Sequence, residues 1–206
     1  MANNPSPKRI EEMLRDAGIS PVAGVDEAGR GPCAGPLVVA AVILEDPFAE
    51  IWSEIRDSKE VSEKKREVLF DVVNQNAAAV SVIEISPEEI DERGVHAANL
   101  DGMRRAVNAL SITPSYVLTD GYAIEGLALP NIAVWKGDQV VTAISAASII
   151  AKVTRDRIMR EMEIQYPGYG FAGHKGYITA SHTAALLEKG VTPIHRKSFS
   201  NIAALM

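Results

Sequence analysis

Short apolar runs alternate along the chain with stretches in which apolar residues recur every three or four positions. Five runs are apolar and partly β-branched, as strands are: residues 22–25, 37–44, 80–85, 116–119 and 132–135. Helical spacing or helix-start signals mark six further stretches: residues 10–14, 62–76, 86–89, 97–110, 143–165 and 179–189. The alternation of strands with helices predicts an α/β fold built in layers.

Turn and capping residues locate several boundaries of these elements. Ser62 and Ser86 are typical N-cap residues, and Ser6 stands before the first predicted helix. Gly190 ends the helix predicted over residues 179–189. Three glycines within residues 29–35 predict a tight turn between the first two strands.

The long helix predicted over residues 143–165 is followed by a segment, 166–176, that is rich in glycine and aromatic residues. No internal repeat, low-complexity tract or long linker divides the sequence before it. We therefore expect a main domain over residues 1–165 and a small helical cap over residues 166–206, packed together as one structural unit.

Composition narrows the class of protein. With 206 residues, 47% hydrophobic and 23% charged, the chain resembles a globular protein that folds on its own. The sequence has a single cysteine, Cys33, which excludes an internal disulfide framework and a cysteine-rich zinc site. We interpret Cys33 as a small apolar residue beside the turn. The sequence shows no signal peptide and no run near the ~18 apolar residues of a membrane span. We expect a cytoplasmic protein with no membrane partner.

Charge is distributed unevenly, although the formal net charge is −6. Residues 1–150 carry 13 Lys and Arg against 23 Asp and Glu, whereas residues 151–206 carry 8 against 4. The basic final quarter is either a solvated face, which is the commoner case, or a surface for a polyanion, and charge alone does not decide between them.

Acidic residues follow three of the predicted strands, each beside a glycine. They are Asp26 with Glu27, then Asp120, then Asp138. Taken singly, each is also ordinary turn chemistry, but together they predict one carboxylate-lined cleft. Such a cluster repels itself unless cations occupy it, and hard oxygen donors favour Mg²⁺ or Mn²⁺. Two such ions support in-line displacement at phosphorus, which is nuclease chemistry.

One geometric condition applies to the first pair of carboxylates. Side chains of neighbouring strand residues point to opposite faces of a sheet. If Asp26 and Glu27 both bind metal, the strand must end or bulge at Glu27.

The motif Gly29-Arg30-Gly31 follows that pair directly. Its glycines allow close backbone approach to a ligand, and Arg30 offers a planar fork to a phosphate. The alternative is an ordinary hairpin turn. Because the motif lies beside the acidic pair, we favour the interpretation that it binds a substrate backbone.

Seven blocks of sequence, taken in order, resemble bacterial ribonuclease HII, the type 2 ribonuclease H, over roughly residues 20–200. They lie at residues 24–32, 57–59, 119–121, 136–138, 145–156, 174–177 and 195–199. The first block is long and unusual enough to be specific by itself. Val61 departs from the leucine usual in the family, which affects packing only.

The resemblance implies a ribonuclease-H-like fold, with a mixed central sheet flanked by helices and a small helical C-terminal region. It implies an endonuclease that hydrolyses the RNA strand of RNA/DNA hybrids. It also implies cutting of duplex DNA on the 5′ side of an embedded ribonucleotide, leaving 3′-hydroxyl and 5′-phosphate ends. With such a substrate, we expect the basic final quarter to face DNA. Nothing in the sequence demands more than a monomer.

The family's functional residues match particular positions of this sequence. Its metal-binding carboxylates, which hold two Mn²⁺ or Mg²⁺ ions, match Asp26, Glu27, Asp120 and Asp138, and Asp156 matches a further acidic position near the active site. Its glycine-arginine-glycine motif, which senses the ribose 2′-hydroxyl, matches Gly29, Arg30 and Gly31. A tyrosine that stacks on the following sugar matches Tyr177, which is otherwise a half-buried core residue. Lys59 and Lys175 resemble phosphate contacts and are equally compatible with solvated surface lysines.

Two other interpretations remain open. One is a catalytically silent module that binds RNA/DNA hybrids with the same fold, and the other is a nuclease or phosphotransferase of related fold with a different substrate. His182 and His195 lack metal-ligand spacing, so we expect capping or surface roles for them.

Overall fold

A five-stranded mixed sheet lies at the centre of the molecule. The structure, a computed structural model, describes residues 9–55 and 61–206. The sheet has the order β3-β2-β1-β4-β5, with β1 Val22–Ala28, β2 Leu37–Ile43, β3 Ala79–Ile85, β4 Tyr116–Asp120 and β5 Asn131–Val134. Strands β1, β2 and β3 pair antiparallel, whereas β1, β4 and β5 pair parallel. The predicted α/β fold with a mixed sheet is confirmed.

Helices pack on both faces of this sheet. They are α1 Arg9–Asp16, α2 Glu63–Asn76, α3 Pro87–Arg93, α4 Val95–Asn108, α5 Gly137–Val140, α6 Thr142–Gln165, α7 Phe171–His174, α8 Ala180–Lys189 and α9 Ser200–Ala203. A short 3₁₀ helix spans Glu50–Trp52. Helix α6 crosses one face beside α2, and α4 covers the other face.

Strand β1 separates the two apolar layers. Ala23 and Val25 point into the α4 layer, while Gly24 points towards α6. A methyl group at Gly24 would collide with the backbone of Ala143, so the absence of a side chain sets how closely α6 approaches β1.

Residues 166–206 pack on the end of α6 and on the chain that follows β1. Phe171 and Leu186 form a third buried apolar cluster there with Met159 and Cys33. The connection between β1 and β2 is longer than the predicted tight turn: it runs over residues 29–36 and makes an isolated bridge with His195. Contacts with the C-terminal segment hold this loop open.

Most predicted element boundaries are confirmed to within two residues. Ser62 and Ser86 cap α2 and α3 by accepting from backbone N–H groups at 3.3 and 3.2 Å. Trp135, predicted as the end of a strand, lies just outside β5. Ser6 lies outside the described residues. Within the described ranges, no helix combines the length and the apolar character needed to cross a bilayer.

Candidate active site

Strand topology brings three of the predicted carboxylates to one edge of the sheet. Strands β1 and β4 run side by side with Val25 paired to Thr119, so the next residues, Asp26 and Asp120, are neighbours. Strand β5 runs parallel on the far side of β4 and is followed by Asp138 in the first turn of α5. Adjacent parallel strands end at the same edge, which is why sequence-distant residues converge here.

The three aspartates form a compact group, called here the carboxylate triad. One oxygen from each of Asp26, Asp120 and Asp138 lies within 4.8 Å of the others. An Asp120 oxygen accepts from the Gly137 N–H at 2.7 Å, which fixes the start of α5. Asp26 and Asp138 are buried, so their carboxylates are poorly hydrated.

Burial of like charges leaves the triad electrostatically unbalanced. The pKa of Asp26 is raised well above its ordinary value, chiefly by burial and then by the negative charges of Glu27 and Asp120. Hydrogen bonds from the Glu27 N–H and the Ser148 hydroxyl offset part of this effect. An all-oxygen, closely spaced donor set of this kind fits a hard divalent cation.

Glu27 lies apart from the triad. Strand β1 continues in unbroken register through Glu27, paired with Val39, to Ala28, paired with Val38, so the strand neither ends nor bulges there. Its side chain therefore points away from that of Asp26. An Oε1 of Glu27 lies 3.8 Å from Nη1 of Arg30. The structure thus brings together three of the four predicted carboxylates, with Glu27 on the rim of the same cavity.

Asp156 forms ion pairs with two cationic side chains of the protein. It is buried on α6, with one oxygen 2.6 Å from the ammonium of Lys152 and the other 3.9 Å from the guanidinium of Arg66. It lies outside the triad.

A cavity of about 380 Å³ opens beside the triad. It is lined by Asp26, Glu27, Ala28, Gly29, Arg30, Gly31, Ser148, Lys152, Arg155 and Tyr177. Tyr177 is 52% exposed and belongs to none of the buried apolar clusters of the described residues, so it is not a core residue, as the alternative interpretation required. Its ring lies against Gly31, where a Cβ would be 3.4 Å from it.

Two buried arginines shape the loop that carries the glycine-arginine-glycine motif. Arg196 donates to the carbonyls of Gly29, Arg30 and Gly35 at 2.6 to 3.1 Å. Burial lowers its pKa to about 9, which leaves it charged at neutral pH. Because the loop's carbonyls are turned towards this guanidinium, their oxygens are withdrawn from the cavity.

Arg155 supports the same loop from α6. It donates to the carbonyls of Ala34 and Pro36 at 3.1 and 2.9 Å and to Lys175 at 2.9 Å. Gly29 has a φ of +102°, and a methyl group there would collide with Arg155. This glycine is therefore required both by its backbone conformation and by space.

Several cations of the basic final quarter have partners within the protein, and the expectation that this quarter faces DNA stays a prediction. Arg155 and Arg196 are 2% and 0% exposed, so two of its eight cations hold the protein together instead. Arg157 and Arg160 pair with Glu67 across α2 and α6. Much of the local positive charge is therefore matched internally.

Sequence reasoning missed several residues around the cavity. Ser148 and Lys152 lie one turn apart on α6, and Arg155 one turn further; this i, i+4, i+7 spacing was the available signal. Tyr122, two residues after Asp120, packs its ring 4.5 Å from the guanidinium of Arg30.

The two predicted phosphate-contacting lysines have different outcomes. Lys175 donates through its ammonium to the Ala172 carbonyl at 2.7 Å, lies 3.9 Å from a Glu63 oxygen, and has a side chain only 12% exposed. It is therefore not a solvated surface lysine. Lys59 lies outside the described residues.

The expected capping or surface roles of His182 and His195 are wrong. Both are buried, and their Nε2 atoms lie 3.1 Å apart. His195 Nδ1 accepts from the Thr192 N–H at 3.0 Å, and His182 Nδ1 donates to the Tyr177 carbonyl at 3.0 Å, so His195 donates to His182. Burial lowers the pKa of both rings, that of His195 to about 4, which keeps the pair neutral at pH 7. Cys33 is a small buried residue as predicted.

Known proteins share both this sequence and this fold. The sequence profile of the family described as Ribonuclease HII matches residues 23–202. A ribonuclease HII of Mycobacterium avium is 52% identical over 195 residues, which cover 95% of this chain and 85% of that protein. A ribonuclease HII of Nocardioides is 52% identical over 192 residues, which cover 93% of this chain and 80% of that protein.

A solved structure agrees with the sequence matches. The crystal structure of ribonuclease H2 from Pyrococcus horikoshii superposes with a TM-score of 0.79 at 30% identity, covering 90% of this chain and 97% of that one. Sequence similarity over nearly the whole length, together with the mixed sheet and its carboxylate-lined edge, leads to one assignment. The chain belongs to the ribonuclease HII family and is a ribonuclease H endonuclease.

Proposed function

We propose that this enzyme cuts duplex DNA on the 5′ side of single embedded ribonucleotides as well as the RNA strand of RNA/DNA hybrids, leaving 3′-hydroxyl and 5′-phosphate ends. In this proposal two Mn²⁺ or Mg²⁺ ions are held by Asp26, Asp120 and Asp138, and Glu27 adds negative charge from the cavity rim rather than sharing a metal ion with Asp26. The observation that carries it is that Asp26 of the triad, the Gly29-to-Gly31 loop and Tyr177 line one cavity, with the other two aspartates close to Asp26.

In this proposal, different residues have different roles in hydrolysis. Bound divalent cations supply an activated water and neutralise charge developing at the phosphate. The triad holds these ions at the end of a rigid sheet. Lys152, in the cavity wall, adds positive charge beside the path of the phosphate backbone.

Selection of the target belongs to the loop and to Tyr177. A 2′-hydroxyl is the one group that marks a ribonucleotide within otherwise uniform DNA. The carbonyls of Gly29 and Arg30 accept from Arg196, and in this proposal the N–H groups of the Gly29-to-Gly31 motif donate to that hydroxyl and to the neighbouring phosphate. Tyr177 is exposed and offers a flat surface for the next sugar. Asp156 supports the site through Lys152 rather than as a direct ligand.

In the cell this activity would remove misincorporated ribonucleotides from DNA. We propose that the enzyme does so as a cytoplasmic monomer. Its partners are then RNA/DNA hybrids and ribonucleotide-containing duplex DNA.

The proposal predicts a selective defect in Tyr177→Ala. Stacking on an aromatic ring contributes about 1–3 kcal/mol per contact, so cleavage at a single ribonucleotide should fall at least about fivefold. Cleavage of a long hybrid should fall less, because it offers many alternative positions. The measurement compares rates on end-labelled duplexes with one or many ribonucleotides, in Mn²⁺ or Mg²⁺.

Leu187→Ala is the matched control, since Leu187 is 71% exposed on α8 and lines no part of the cavity. An unchanged rate at the single ribonucleotide in Tyr177→Ala would refute the junction role of this residue. Binding of hybrid without any cleavage by folded wild-type protein would favour the silent binding module.

A further inference from the structure

Exposed aromatic side chains concentrate around the candidate active site. Across the described residues, those with a large exposed fraction are Tyr122 at 37%, Trp135 at 83% and Tyr177 at 52%. Tyr122 follows Asp120 by two residues, Trp135 precedes Asp138 by three, and Tyr177 lines the cavity. The ring of Tyr122 already contacts the Arg30 guanidinium, and Tyr177 has a proposed role in substrate selection. Trp135 is therefore the exposed aromatic residue of this group that has no role so far.

The backbone fixes Trp135 next to the triad. It follows the edge strand β5 and precedes Lys136, which has a φ of +52°, unusual for a residue with a side chain. The Gly137 N–H is bonded to Asp120 at 2.7 Å. Two residues of chain span at most about 7 Å, so the Trp135 backbone lies within that distance of this anchored point.

The exposure of Trp135 contrasts with that of the other tryptophan. Trp52 is 3% exposed, and its indole N–H donates to the Asp46 carbonyl at 2.9 Å. An indole ring combines a large apolar face with a polar N–H, and tryptophan is for this reason enriched at contact surfaces. The neighbouring Lys136 is also exposed, so the turn presents a flat ring beside a cation.

We propose that Trp135 is a nucleic-acid-stacking residue, forming a further substrate contact at the β5 side of the carboxylate triad with Lys136 beside it for a phosphate. This inference rests on the proposed function. Every nucleobase has a π face that stacks on an aromatic ring, and a lysine next to such a ring meets the sugar-phosphate backbone. A polyanion with flat bases therefore fits this turn better than a protein surface does.

Strand order places the contact on one side of the triad. Neighbouring strands lie about 4.8 Å apart, so β5 lies about 10 Å from β1 across β4. Tyr177 lies against Gly31 in the loop that leaves β1 towards β2, away from β5. Trp135 thus contacts substrate on the side of the triad opposite Tyr177.

Fluorescence tests this contact directly, because the chain has two tryptophans and one of them is buried. Asp120→Asn protein is titrated with a 12-base-pair RNA/DNA hybrid while hybrid binding is followed in parallel by anisotropy of a dye on the nucleic acid. We expect tryptophan emission to fall and saturate with the binding curve. The same titration with Asp120→Asn/Trp135→Phe, which retains Trp52, should show binding with little change in emission.

Steady-state cleavage of the same hybrid separates stacking from support of the fold. Trp135→Ala should raise KM at least about fivefold, as expected for a lost base–aromatic stack, with kcat nearly unchanged. Trp135→Phe should restore most of the affinity because it keeps a ring. Ile164→Ala is the control, since Ile164 is 82% exposed but lies on α6 about 24 Å along the helix axis from Ser148.

The outcomes separate this inference from the function on which it rests. If wild-type protein cleaves hybrid while Trp135→Ala keeps its KM, or if hybrid binds without quenching Trp135, the stacking contact is refuted and a protein partner for this turn takes its place. If folded wild-type protein neither binds nor cleaves hybrid, the proposed function fails and the inference fails with it.

Discussion

Arg196 shows how one buried side chain can determine the properties of a binding loop. It is fully buried and donates to three carbonyls of the segment between β1 and β2. Burial of a guanidinium is tolerated only when its N–H groups find acceptors. Here those acceptors are the loop's own carbonyls, so one contact satisfies the arginine and orients the loop.

Replacement of this arginine should therefore affect both folding and substrate binding. In Arg196→Met the carbonyls of Gly29, Arg30 and Gly35 lose donors, which should lower the free energy of unfolding by about 1–3 kcal/mol or more. KM for an RNA/DNA hybrid should rise because the Gly29-to-Gly31 backbone, which lines the cavity, is no longer held in place. Urea unfolding and steady-state cleavage measure the two effects.

Arg15→Met serves as the comparison, because the side chain of Arg15 is 58% exposed. Wild-type stability together with wild-type KM in Arg196→Met would show that the loop is held by other contacts.

At the scale of elements, the contact between β1 and α6 carries the site. Asp26 lies on β1, whereas Ser148 and Lys152 lie on the facing side of α6. Gly24 lets the two elements approach, since its missing side chain leaves room for the Ala143 backbone. A change in this spacing would move Asp26 relative to Ser148.

Gly24→Ala should accordingly be strongly destabilising. The new methyl group meets backbone atoms that cannot rotate away, and overpacking of this kind costs about 1–3 kcal/mol and occasionally more. Gly173→Ala is the matched change, because a Cβ at Gly173 has no neighbour within 4 Å. Thermal unfolding of the two variants makes the comparison, and equal melting temperatures would contradict the close packing of β1 on α6.

On the scale of the whole molecule, the sequence predicts the strands, the main helices and the acidic strand ends. Apolar runs and N-caps such as Ser62 depend on interactions between residues close together in sequence, so they can be predicted from the sequence. The convergence of Asp26 and Asp120 depends on the parallel pairing of β1 with β4, which no local pattern encodes. The separation of Glu27 follows from the continuation of β1 to Ala28.

Burial of polar groups was the least predictable property. Arg155, Arg196 and His195 read as surface residues because their types are usually exposed. Their acceptors come from loops far away in sequence, as in the bond from Arg155 to the Pro36 carbonyl. Such partners become visible only in the folded chain.

The central claim is that three aspartates on parallel strand ends perform metal-dependent cleavage of RNA in a duplex with DNA. Asp120→Asn keeps the size of the side chain and its hydrogen bond with the Gly137 N–H while removing one charge of the triad. The change should therefore spare the fold and disable the metal site.

The most direct measurement compares wild-type and Asp120→Asn protein on an end-labelled RNA/DNA hybrid with Mn²⁺, Mg²⁺ or chelator, with hybrid binding measured alongside. We predict metal-dependent cleavage by the wild type, a loss of at least about 100-fold in Asp120→Asn, and nearly unchanged binding. Full activity in Asp120→Asn, or cleavage by the wild type in chelator, would contradict the assignment of the triad as the metal site.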